Sequence, residues 1–186
     1  SDEAQKFWKR ETEKSRQAIK KENKNIEQFL NAYVRIKMWE FKDRLSEQQR
    51  KSFAKLANTY DTCKAFVDIF NVSKQDLANE IIEYARLFKK HFVMDKLDEP
   101  INPYYCIERI IYIILATKKF TLVPYVLYLL KNVNDQNELD NISKYLESYI
   151  IRRILSKSDD KNYTDLFGES LILNKINTAN SLREYI

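Results

Sequence analysis

Few residues in this sequence are suited to chemistry, and the pair that stands out is Arg152 and Arg153, set inside the apolar run YLESYIIRRIL (Tyr145–Leu155). Adjacent guanidinium groups suit bidentate recognition of carboxylate or phosphate. Neighbours on a helix lie about 100° apart. If Tyr145, Leu146, Tyr149, Ile150 and Ile154 face a core, the two arginines cannot both meet open water unless the apolar stripe is narrow. Two readings follow. In the structural one, which is favoured, one arginine lays its stem along the apolar face and holds helix C-terminal carbonyls or a carboxylate such as Asp165 or Glu169, while the other faces solvent. In the second, the guanidinium fork reaches a DNA phosphate or a partner domain, with Lys157 and Lys161 adding charge.

Other chemistries lack their residues. Gly168 is the only glycine, so phosphate-cradling loops that bring several glycines against a nucleotide cannot be built. One histidine, His91, and two cysteines 43 positions apart, Cys63 and Cys106, supply neither a zinc site within the chain nor an H-E-x-x-H pair. His91 follows Lys89 and Lys90 at a helix end, where the helix dipole accounts for it. The thiols are expected reduced and partly buried, which fits a cytoplasmic location. An enzyme site of helix-borne carboxylates, such as Glu80, Glu83 and Glu108, is the least favoured reading, because no E-x-x-H partner exists. Neither a metal nor a cofactor is expected.

The elements that must position these residues are helices. A single glycine and three prolines among 186 residues leave little material for hairpin turns, so the fold class is all-α: a multi-helix bundle, read as two packed helical subdomains. A chain of this length buries roughly 70% of its unfolded surface. The apolar runs IIYIILA (Ile110–Ala116) and VPYVLYLL (Val123–Leu130) are too short to cross a membrane, which takes about 18 apolar residues. The opening SDEAQKFWKRETEK is charged throughout, with no signal-peptide core, and it starts without methionine, so the chain is read as a piece of a longer polypeptide.

A first helix is expected from about Asp2 into KKENKN. The next carries Ile26, Phe29, Leu30, Tyr33, Val34 and Lys37 at a period near 3.6. Ser46 with Gln49 forms a capping box, Asp61 opens a short helix, and Ser73 with Asp76 starts one whose Leu77, Ile81, Tyr84, Ala85 and Phe88 share a face. MDKLDEPINPYY is the boundary between a subdomain of residues 1–97 and one of 98–186. There Asn102 and Pro103 read as an N-cap and first turn. Asp135 and Glu138 read as a capping box opening the helix that ends in the arginines, and YTDLFGESLIL and TANSLREYI as two short helices. Of the twelve tyrosines, Tyr84, Tyr112, Tyr145 and Tyr149 belong to apolar stripes, whereas Tyr104 or Tyr105 is left for the surface. Residues 1–60 hold 15 Lys/Arg against 9 Asp/Glu, so the basic excess lies in the first third. Scattered Lys/Glu pairs of this kind are more often a solvated face than a nucleic-acid groove.

The order LESYIIRRIL…KNYTDLF (Leu146–Phe167) is similar to a helix-loop-helix in the middle of a bacterial family that includes the GmrSD-type modification-dependent restriction endonucleases and related phage-defence proteins. Arg152, Arg153, Asn162, Tyr163 and Phe167 stand at matching places. FLNAYVRIKM (Phe29–Met38), with Phe29, Leu30 and Tyr33, resembles that family's FL-x-x-YL helix, and FVDIFNVSKQDLANEIIEYARLF its next segment. Tyr149 falls within the arginine-bearing helix. The resemblance implies a modular parent, with a ParB-like N-terminal domain carrying D-G-Q-Q-R and often a His-Asn-His nuclease domain at the C-terminus. Neither end is present: EQQR (Glu47–Arg50) lacks the glycine, and His91 fits no His-Asn-His pattern. The implied role is a noncatalytic helical connector whose partners are the other domains of the parent and DNA, with no membrane. The rival is a stand-alone α-helical protein-interaction module with an apolar groove.

Overall fold

The computed structural model describes residues 25–42, 45–48, 64, 67, 68, 72–92, 97–156 and 162–186. The expected first helix, Gln49 of the Ser46 box, the Asp61 helix start, Lys157 and Lys161 lie outside them. The described chain is an all-α multi-helix bundle. Its order is α1 (Asn25–Glu40), α2 (Lys74–His91), α3 (Ile107–Thr117), a 3-10 turn (Phe120–Leu122), α4 (Val123–Asn132) and α5 (Gln136–Leu155). Three short pieces then run on without a break: α6 (Tyr163–Asp165), a π-helical turn (Leu166–Ser170) and α7 (Leu171–Leu173). The last helix is α8 (Ala179–Tyr185). None of the described helices is long and apolar enough to cross a membrane.

α4 is the centre. Every residue from Leu122 to Leu129 is buried, because α4 packs against α1, α2, α3 and the π turn at once. A helix apolar all round needs such cover, and each enclosed Leu or Val contributes about 1.5–3 kcal/mol. Proline in its first turn costs no hydrogen bond there. One buried cluster runs from Phe29 to Leu182 and takes side chains from both sides of residue 98.

α1 docks on α2 through aromatic pairs. The Phe29 ring lies 5.6 Å from Phe88, and Tyr33 meets Tyr84 edge-on at 5.5 Å. The expected α1 stripe holds at Phe29, Leu30, Tyr33, Val34 and Lys37, but Ile26 is exposed. The buried face of α1 instead extends to Ala32 and Ile36, which turns Ile26 outward. On α2 all five face residues are buried or half-buried, and Ser73 caps its start, accepting from the Asp76 backbone N–H at 3.4 Å.

Two helix starts differ from expectation. Asn102 does not cap α3: its side-chain oxygen accepts from the Tyr104 N–H at 3.0 Å in a local turn, and the helix begins at Ile107 after an extended Cys106. An Asn-Pro pair suits an Asx turn as well as an N-cap, and the Asn102 carbonyl is held at 2.6 Å by Arg109. At α5, Asp135 accepts from the Asn137 N–H as an N-cap, but Glu138 does not close the box. Its carboxylate accepts instead from the Ala179 N–H, fastening the first turn of α8 across 41 residues.

α3 ends on Lys118 at φ 57°, and α7 is followed by Lys175 at φ 52°. Both occupy the left-handed conformation that usually goes to glycine.

Candidate functional site

The arginine pair lies on the last turn of α5, whose buried face is Leu139, Ile142, Ser143, Leu146, Glu147 and Ile150. This stripe is rotated from the expected one. Tyr145 and Ile154 are exposed and Tyr149 is half-buried, because a charged residue, Glu147, occupies a core position in place of Tyr145. The rotation separates the arginines. Arg152 is exposed, its Nε donating to the Ser148 carbonyl at 3.1 Å along its own helix. Arg153, seven residues from Leu146 and three from Ile150, continues the inner face and is half-buried.

Arg153 meets aromatic rings. Its guanidinium carbon lies 5.8 Å from the centre of Tyr149 and 5.3 Å from that of Tyr163, within cation–π range. Lys119 approaches the Tyr163 ring as well, at 5.4 Å. Tyr163 is fully buried and stands nearly perpendicular to Phe167, 5.3 Å away, and Phe167 in turn touches Tyr125 and Tyr149. Tyr163 is thus a core ring and offers no surface for a base or a partner. Asn162, just before it, is exposed and makes no side-chain cap. Glu169, one of the carboxylates weighed for the arginines, lies in the field of Asp165, Lys42 and Arg35, and burial and Asp165 push its carboxyl above the usual range.

The most enclosed charges lie elsewhere. Glu147 is only 5% exposed and grips Arg109 of α3 with both oxygens, accepting from Nε at 2.7 Å and from Nη2. This bidentate pair joins α5 to α3, and the hydrogen bonding to Glu147 holds the guanidinium above its ordinary pKa. A second network joins α1 to α2. Lys37, 7% exposed, donates to Glu40 at 2.7 Å and to Glu80 at 2.8 Å, and Tyr33 donates to Glu80 at 3.2 Å. Burial lowers the Lys37 pKa, but its two carboxylate hydrogen bonds more than offset this and leave it raised.

The three carboxylates weighed for catalysis are distributed among such contacts. Glu80 serves Lys37 and Tyr33, Glu83 pairs with Lys131 of α4 at 2.6 Å, and Glu108 lies 3.7 Å from His91. Among the described residues no group of three or more His, Cys, Asp or Glu is placed to hold a metal ion.

The NPYY loop presents its rings outward as expected: Tyr104 is 78% exposed, and Tyr105 lies 5.5 Å from Arg109 and 5.9 Å from Lys144. Sequence reasoning missed the Arg109–Glu147 pair. Glu147 stands at a core-spaced position of α5, between Leu146 and Ile150, but its partner lies 38 positions earlier on another helix, and that separation hid the pairing. Compared with known proteins, the chain matches no family model, no curated sequence and no solved structure.

Proposed function

We propose that this chain is a noncatalytic helical module that connects and positions the other domains of a bacterial restriction or phage-defence protein of the GmrSD-like kind, with DNA as a further partner. One observation carries this reading. The apolar members of the resembling motifs, Phe29, Leu30, Tyr33, Tyr163 and Phe167, enter or pack against a single core cluster, whereas Arg152 and Asn162 are exposed; the shared core supports a role in holding helices in fixed relation. A positioning module needs that rigidity. Arg152, exposed on the outer face of α5, is the member of the pair available to a phosphate or a neighbouring domain.

The test is the affinity of the purified chain for duplex DNA as salt is raised, with Arg152→Ala beside the unaltered protein at matched folded fraction. Binding that weakens steeply with salt and further with the variant supports the DNA role. DNA cleavage by this chain, abolished by one substitution within it, would overturn the noncatalytic reading.

A second reading, an independent protein-interaction module, is favoured by Ile151, Ile154 and Leu155, all exposed at the end of α5. It requires binding to a partner protein that is lost on Leu155→Asp and indifferent to salt.

A further inference from the structure

A cleft of about 320 Å³ opens between α1, the 3-10 turn with the start of α4, and the π turn. Gln28, Asn31, Arg35, Thr121, Thr164 and Gly168 line it. Its volume falls at the lower end for small-molecule sites.

Arg35 distinguishes it. The enclosed cations Lys37 and Arg109 are each held by a carboxylate, yet Arg35 is half-buried and, among the described residues, neither a carboxylate nor a carbonyl accepts from its guanidinium. Glu169 shares its electrostatic field without forming an ion pair with it. A guanidinium has five donors in a planar fork and no acceptor, and enclosing it without a partner is costly. The hydroxyls of Thr121 and Thr164, which line the same cleft, also make no internal hydrogen bond among the described residues.

Gly168 adds an independent observation. It is the only glycine in the chain, and it stands in the π turn at a backbone conformation open to any residue. What a side chain would meet there is Arg35: a Cβ at this position would lie 3.1 Å from Nη1. The Gly168 carbonyl is pinned by the Trp39 indole N–H at 2.9 Å, which keeps the turn against α1. The glycine therefore leaves room for the guanidinium at the wall of the cleft. π turns inside helices frequently occur at functional sites.

We infer that this cleft binds a small molecule through a terminal oxyanion, carboxylate or phosphate, received by the Arg35 fork with the Thr121 and Thr164 hydroxyls as further donors. The concave, half-enclosed setting suits a small ligand, whereas a duplex backbone is met by exposed cations spread along a face. This site is independent of the positioning role proposed above.

The test titrates the 186-residue chain with sodium phosphate and, separately, sodium acetate at constant ionic strength, following the Arg35 Nε–H and the Thr164 and Gly168 amides by NMR. Saturable shifts at these three groups with either anion are expected, and whichever anion saturates identifies the oxyanion. Arg35→Gln should weaken binding about tenfold or more, equivalent to roughly 1.4 kcal/mol, without lowering the melting temperature, and Arg35→Lys should recover part of it. Gly168→Ala, which keeps the charge and crowds Nη1, should also weaken binding, and it decides the matter if Arg35→Gln does not fold. Shifts that saturate with neither anion, or equal affinity in Arg35→Gln or in Gly168→Ala, would overturn the inference.

Discussion

The guanidinium of Arg153 sits 5.3 Å from the centre of the buried Tyr163 ring, while its neighbour Arg152 lies exposed along the outside of α5. One helical step of about 100° makes the difference. A partly desolvated cation over an aromatic face contributes up to about 2 kcal/mol, and the stem adds packing. Arg153→Ala should therefore lower unfolding free energy by about 1–2 kcal/mol, whereas Arg152→Ala should change it by less than about 0.5 kcal/mol. Urea denaturation of the two variants checks both. Equal losses would mean that the pair acts as one structural unit.

Arg109 and Glu147 make a second, stronger expectation. Because Glu147 is almost wholly enclosed, Arg109→Ala leaves a carboxylate without its cation and should cost about 3 kcal/mol. Replacing both with apolar residues, Arg109→Met with Glu147→Leu, should return most of that loss. A double-mutant cycle in denaturant measures the coupling, and a double variant as unstable as the sum of the singles would contradict it.

Lys118 and Lys175 both hold positive φ. A side chain in this conformation costs roughly 1–2 kcal/mol, partly offset by the greater freedom that glycine loses on folding. Lys118→Gly and Lys175→Gly should each raise stability by about 0.5 kcal/mol or more, seen as a higher thermal midpoint. Neither ammonium is needed to hold the turn.

Tyr125 buries its hydroxyl and donates to the Ile176 carbonyl at 2.9 Å. Burial pushes its pKa well above the ordinary tyrosine value of about 10. Since the folded-state pKa is the higher one, the unfolded chain releases the proton first, and stability present below about pH 10 is lost as pH rises beyond it. Tyr84, raised first of all by burial, adds to the same loss. Tyr125→Phe should cost about 1 kcal/mol at neutral pH and flatten the alkaline fall, as equilibrium unfolding between pH 8 and 11 would show. An unchanged slope would mean that the phenol ionises without unfolding the chain.

The all-α class and much of the helix faces were legible in the chain. Leu77, Ile81, Tyr84, Ala85 and Phe88 turn inward together on α2, Ser73 starts that helix, and Leu122–Leu129 are enclosed on all sides. These follow from local rules: an apolar period near 3.6, a hydroxyl before a helix, a run apolar on every face. Lys37 also took its place in the α1 stripe although it is charged.

Tertiary structure decided what the period could not. The face of α5 turned so that Glu147, rather than Tyr145, entered the core, because a guanidinium 38 residues away in α3 was there to receive it. Glu138 left its own helix start to cap α8, and Asn102 made a turn while the helix began at Ile107. Arg35 came to face the one glycine in the chain. Periodicity records which residues lie on one side of one helix, but a charged side chain is buried only where a partner from another helix offsets its desolvation. That partner is set by how the helices pack, and so the arginines' separate fates were decided in three dimensions.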